Sequence, residues 1–175
     1  MPSTYTLIAS NTLSTSAASV TFSAIPNTFT DLVVKVSART TEAGSNELMI
    51  MTVNGNTGSN YSVTTLIGNG STVTSNRTTS AANIRNGWQV GATATSNTFS
   101  NAEIYIPSYT VSQNKPVSNF SVAENNSSTA ADTYINTNAG LIRITDAIST
   151  IAFATINGNN FVSGSSFFLY GIKNS

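Results

Sequence analysis

Neither histidine nor cysteine occurs in this chain of 175 residues, and only 14 residues are charged, seven of each sign. An average domain of this length carries about 44 charges. Without His and Cys there can be no imidazole-based triad, thiolate nucleophile or disulfide, and the usual structural zinc sites are excluded. The seven basic residues (Lys35, Arg39, Arg77, Arg85, Lys115, Arg143 and Lys173) are scattered. They form no stripe that could track a phosphate backbone, so nucleic acid is not an expected partner. Long apolar runs are also missing: nothing approaches the ~20 residues of a membrane span, and a membrane partner is not expected. The first residues have neither a basic n-region nor an apolar h-region, so no signal peptide is read there. No window holds an i, i+3, i+4, i+7 apolar pattern, which argues against amphipathic helices.

What fills the space is Ser, Thr and Asn: 26, 27 and 22 residues, 75 of the 175. A polar surface made of hydroxyls and amides hydrogen-bonds without long-range fields, and is therefore nearly indifferent to salt and to pH near neutrality. Eight Phe, six Tyr and one Trp make the chain too apolar for a disordered Ser/Thr-rich stalk. Its 18.2 kDa suits one domain over residues 1–175, with a sizeable core. The composition points to a structural or binding surface.

Apolar residues alternate with small polar ones from end to end, at the period of a half-buried strand. Strands are expected at 4–9, 17–23, 31–39, 47–53, 61–67, 83–92, 102–107, 117–124, 141–144, 148–156 and 166–172. The more polar segments 68–82 and 108–116 read as loops. Asn54-Gly55 and Asn157-Gly158 suit the two positive-φ positions of a tight turn, and Asn86-Gly87 suits a bulge within a strand. The expected fold is all-β: an antiparallel β-sandwich, jelly-roll-like, of about ten short strands. In the last strand Phe167 and Leu169 oppose Phe168 and Tyr170, so both faces need cover. Phe167, Phe168, Leu169, Tyr170 and Ile172 are therefore candidates for a subunit interface.

No catalytic, metal or cofactor site is read from the sequence. A Ser–Lys dyad at Lys35, Lys115 or Lys173 is formally available, but abundant serine places some Ser near every Lys. Most of the seven acids (Asp31, Glu103, Glu124, Asp132 and Asp146) fall where solvated structural residues belong, and the loop NGNTGSN (54–60) lacks the carboxylate a calcium site needs. The six N-x-Ser/Thr sequons follow from composition. Tyr61, Trp88, Tyr105, Tyr109 and Tyr134 lie in or beside Asn/Ser/Thr-rich segments, where an exposed ring could stack on a neutral sugar. These five are the carbohydrate-contact candidates, against the plainer reading that they fill the core or an oligomer interface.

Five segments, in order, carry a family resemblance. They are TYTLIASNTLSTSAASVTFSAIPNTFTDLVVKVSART (4–40), VNGNTGSNYSVTTLIGNGS (53–71), NAEIYIPSYT (101–110), KPVSNFSVAENN (115–126) and NGNNFVSGSSFFLYGIK (157–173). Together they resemble small β-sandwich modules of tailed-bacteriophage virions, found as capsid decoration (cement) proteins and as distal domains of tail fibres and tailspikes. The resemblance implies a non-enzymatic virion protein, a homotrimer, with the major capsid protein as partner and the outer capsid surface as location. Synthesis in the host cytoplasm, without export, fits the absence of a signal peptide. A fibre chain needs an anchoring segment and a shaft, for which a first strand at residue 4 and a last strand ending at 172 leave no room. Cement is thus the expected role. The alternative is a receptor-binding module that engages a host-surface glycan.

Overall fold

The computed structural model describes residues 4–129 and 132–173. β-Branched and aromatic residues dominate its twelve strands, as expected of chain that lies on a pleated, half-buried surface. They are β1 (Tyr5–Thr12), β2 (Ser19–Phe22), β3 (Asp31–Ala38), β4 (Asn46–Val53), β5 (Tyr61–Gly68) and β6 (Val73–Ala81), followed by β7 (Ile84–Val90), β8 (Ser100–Ile106), β9 (Lys115–Ala123), β10 (Tyr134–Ile142), β11 (Ile151–Thr155) and β12 (Ser166–Ile172). No α-helix occurs among the described residues. All strand pairs are antiparallel and form two sheets, ordered β1-β12-β3-β8-β9-β10-β5-β6 and β2-β11-β4-β7.

The unequal partition has a simple origin. Two hairpins, β5–β6 and β9–β10, extend the larger sheet on one side. With them set aside, four strands remain in each sheet, β1-β12-β3-β8 over β2-β11-β4-β7. Consecutive members of this set alternate between sheets, except β4 and β7, which pair directly. That interleaving is a jelly roll. These eight strands are called the body below, and the two hairpins the wing. β1 and β12, the first and last strands, are neighbours, with Tyr5 opposite Ile172.

The body has an ordinary apolar interior. Inward residues of β3 (Leu32, Val34, Val36), β4 (Met49, Met51, Val53) and β8 (Ile104, Ile106) are almost or fully buried, as are those of β11 and β12. At the centre Phe167 packs edge-on to Phe161 (centroids 5.1 Å apart) and tilted to Phe153 (5.7 Å). Burial of each such side chain contributes about 1.5–3 kcal/mol relative to exposure.

The wing is built differently. β7, an edge of the small sheet, lies across β8, β9, β10 and β5. β6 lies beyond it and is exposed along most of its length. Between β7 and the wing the buried polar side chains are Asn86 of β7 itself and Asn119, Ser121, Asn136 and Asn138 beneath it. Asn138 Nδ2 donates to Arg85 O (2.8 Å) and to Asn119 Oδ1 (3.0 Å), and Ser121 Oγ donates to Asn136 Oδ1 (2.5 Å). The strands come close because Gly87 has no side chain. A Cβ there would lie 1.8 Å from Ser121 Oγ, and the residue's φ of 92° belongs to the left-handed region. The register shift between β4 and β7 falls at this point, so the bulge expected at Asn86-Gly87 is present.

Four expected features are corrected. The strand expected at 141–144 is only the end of β10, which starts at Tyr134 and stops at Ile142. The polar segment 68–82, read as a loop, holds β6, which turns back on β5 at Asn69, whose Oδ1 accepts from Ser71 N and Thr72 N. Asn54-Gly55 has the expected paired positive φ (51° and 64°), but it carries the chain from the small sheet to the large one and closes no hairpin. At Asn157-Gly158 only the glycine has positive φ.

Candidate binding face

Strand alternation leaves one side of the eight-stranded sheet facing away from the small sheet. In the body this outer face carries Phe168 and Tyr170 of β12, Leu7 opposite Tyr170, and Tyr5, whose ring meets Tyr170 edge-on at 6.2 Å. Lys35 and Glu103 are cross-strand neighbours there, joined at 2.9 Å. Hydrogen bonding to Glu103, reinforced by its charge, raises the Lys35 pKa. The pair is the single ion pair among the described residues, and it leaves the face without net charge at its centre.

Over the middle of β9 and β10 in the wing the polarity is inverted, while inward Val63, Val117, Ala123 and Ile142 remain apolar. Along β9 the inward residues Asn119 and Ser121 are polar and the outward Phe120 is 48 % exposed; along β10 Asn136 and Asn138 point in while Ile135 points out. Phe120, Ile135, Leu66 and Val73 line a shallow hollow of ≈ 220 Å³. A second trough, ≈ 610 Å³, runs beside it between Tyr105, Pro107, Pro116, Ser118 and Thr64. Six of the eight large apolar side chains exposed among the described residues (Tyr5, Leu7, Leu66, Val73, Phe120 and Ile135) lie on this face. An apolar, nearly uncharged sheet face of this extent is suited to burial against another surface.

The sequence-derived interface candidates divide along the last strand. Phe167 and Leu169 are fully buried against the chain's own second sheet, so they are core residues rather than interface residues. Phe168, Tyr170 and Ile172 share the outer side; Phe168 and Tyr170 are partly exposed, while Ile172, opposite Tyr5, is already mostly covered.

The five aromatic candidates do not gather into one site. Tyr61 and Tyr109 are fully buried and present no ring to a ligand. Tyr61 OH donates to Asn56 O and accepts from Val53 N, and Tyr109 OH donates to Pro26 O. Burial raises both phenol pKa values. Trp88 and Tyr134 stack on each other (4.9 Å, 20°) over a small cluster of Val90, Ala94 and Ala123. Tyr105 alone reaches the outer face. Its hydroxyl donates to Asp31 Oδ2 (2.9 Å), while Asp31 Oδ1 accepts from Ser108 N, which fixes the ring beside the larger trough. Burial and, next, the Asp31 hydrogen bond raise its pKa.

Sequence reasoning missed Leu7, Leu66, Val73, Phe120 and Ile135. The available signal was an apolar residue placed out of phase with its strand's buried positions, but that phase is visible only once the buried positions are known to be Asn and Ser. Lys115, considered for a Ser–Lys dyad, is buried, with Nζ donating to Ile144 O, Thr145 O and Asp146 O at 3.0, 2.8 and 2.6 Å. It clamps the segment after β10 to the start of β9, and desolvation lowers its pKa.

No family model matches this chain, and no curated protein is recognisably similar to it. No helix among the described residues is long and apolar enough to cross a membrane.

Proposed function

We propose that the chain is a non-enzymatic structural module of a tailed-phage virion, a capsid cement protein. It docks the outer face of its eight-stranded sheet on the major capsid protein, and it trimerises through the β1–β12 side of the same sheet. The supporting observation is the inverted wing, where Phe120, Ile135, Leu66 and Val73 face solvent while asparagines lie inside. Such a pattern costs solubility and is retained where a partner covers the surface. The virion setting rests on the sequence resemblance. A face whose central charges are paired, with Arg77 on β6 and the hydrogen-bonded Asp31 as its further charges, binds with little salt dependence, and trimeric multivalency makes weak single contacts hold.

The test uses particles with and without the protein. Particles lacking it are expected to assemble but to rupture at lower temperature or milder osmotic shock. A Phe120→Ser, Ile135→Ser protein should fold with stability within about 0.5 kcal/mol per site of the parent. It should still lose at least about tenfold in particle occupancy, the loss of one buried aromatic contact. Occupancy of parent protein should be unchanged between low and high NaCl.

A second reading is a receptor-binding module for a host-surface glycan, favoured by one detail. The shallow pocket beside Tyr105 is lined by the Ser118 and Thr137 hydroxyls, the Phe120 ring and Glu103, whose charge is paired with Lys35: polar groups beside two rings. Particles that are fully robust without the protein, yet fail to adsorb to hosts, would replace the cement reading with this one.

A further inference from the structure

Glu47 occupies an inward position of β4 and is 1 % exposed. Its Oε1 accepts from Asn157 N (3.0 Å) and Asn159 Nδ2 (3.2 Å), but its Oε2 is buried with no hydrogen-bond partner. The same Asn159 Nδ2 donates to Glu42 Oε2. One amide nitrogen therefore bridges two carboxylates, whose oxygens lie less than about 6 Å apart, so their like charges repel across a short gap. Directly across the β4–β7 ladder from Glu47 is Gln89, fully buried, with neither Oε1 nor Nε2 hydrogen-bonded.

No cation among the described residues is paired with this cluster. Neither carboxylate is in an ion pair among the described residues. Arg39, three residues before Glu42, directs its guanidinium to the carbonyls of Ala92, Ala94, Thr95 and Thr98. A buried carboxylate facing a second one, with an unengaged amide oxygen beside it, is a strongly unfavourable arrangement on its own. It is also a set of hard oxygen donors. We propose that Glu47, Glu42 and Gln89 form a calcium-binding site at this end of the sandwich. Glu47 Oε2 and Gln89 Oε1 are its buried ligands, and the partly exposed Glu42 is the ligand at the entrance. The bound ion would tie the segments around 42 and 157–159 to the β4–β7 edge. With two carboxylates the site belongs among weak ones, with Kd on the order of 10⁻⁴–10⁻³ M. The proposal is independent of the cement reading.

The experiment is a thermal-unfolding series on EDTA-treated protein, with CaCl₂ from zero to about 10 mM and NaCl matching ionic strength, alongside equilibrium dialysis with radiolabelled calcium. Calcium is expected to raise Tm by about 3–5 °C at the top of the series. Dialysis should show one ion per chain. Glu47→Gln should abolish both effects. If that variant does not fold, Glu42→Gln, at a more exposed position, should fold and weaken binding at least about tenfold, the loss of one charged ligand. A Tm unmoved by calcium, or moved equally by matched NaCl, overturns the proposal.

Discussion

Body and wing share a sheet, a backbone geometry and an amino-acid vocabulary, yet they are held together by different forces. In the body, Phe153, Phe161, Phe167 and their aliphatic neighbours exclude water at the centre, and the buried polar side chains such as Glu47, Gln89 and Ser100 lie towards its margins on β4, β7 and β8. In the wing, asparagine amides fill much of the space between β7 and strands β9 and β10, and the apolar side chains Phe120, Ile135, Leu66 and Val73 are outside. Hydrophobic burial is non-directional and tolerates repacking, whereas an amide layer works only when donors and acceptors meet. Asn86 Oδ1 and Asn138 Oδ1 are buried without a partner, so even the native layer is incompletely satisfied. The wing should therefore be the less stable region and the more sensitive to small geometric change.

The largest expected effect lies in the body. Phe167→Ala removes the ring packed on both Phe153 and Phe161, and should cost about 3–5 kcal/mol in denaturant unfolding. A loss below 1 kcal/mol would erase the distinction, because it would leave the body without a dominant apolar centre. Next comes Gly87→Ala, which meets both a positive φ and the Ser121 side chain, and should cost about 2–4 kcal/mol. Its signature is local: in native-state hydrogen exchange β9 and β10 should lose protection before β3 and β12 do. Equal loss across all strands would make body and wing a single cooperative unit.

The smallest effect is that of pH, with contributions of opposite sign. Burial raises the Tyr61 and Tyr109 pKa values above 10.0, so the unfolded chain releases these protons first. The stability they contribute is complete below pH 10 and falls as pH rises through the folded-state values. Lys115 acts in reverse. Its desolvated ammonium opposes folding at pH below its lowered pKa, and that cost disappears as pH climbs towards 10.5. Tyr105 and Tyr134 are raised in the same way, and Lys115 has no further effect above 10.5, so the denaturation midpoint should decline as pH rises beyond that point. Asp132, held low by the Ser45 and Ser127 hydroxyls, contributes above the ordinary carboxylate range and loses that contribution as pH falls through its lowered value. Between these limits no histidine titrates, and the midpoint should be flat from about pH 5 to 9.

The same division explains what could be read from the sequence. Every body strand was legible, because an apolar residue at alternate positions marks a buried face. Strands β6 and most of β10 were not. TSNRTTS and NTNAG alternate polar with polar, so period-2 patterning has no hydropathy to act on, although the backbone is extended and paired. The site followed suit. Phe168 and Tyr170 were found from the two-sided last strand, while Phe120 and Ile135 were lost, because a rule that places apolar residues inside assigns them to the wrong side. Tyr61 and Tyr109 failed as surface candidates for a related reason. Their polar sequence neighbours occupy turns, and the rings themselves point under the sheets, where a hydroxyl can still reach a carbonyl.

The pairing of first and last strands has a mechanical consequence. With Tyr5 opposite Ile172 on adjacent antiparallel strands, the chain enters and leaves the jelly roll at one corner. A pull between those two points loads the β1–β12 ladder at its end and parts it one hydrogen bond at a time, in the manner of a zipper. A pull between Thr12 and Ile172, at opposite ends of the same ladder, would instead load all its bonds together in shear. The module should therefore yield at low force to tension along its own chain. It should resist far better when load reaches it through side chains on the outer face, spread across eight strands at once.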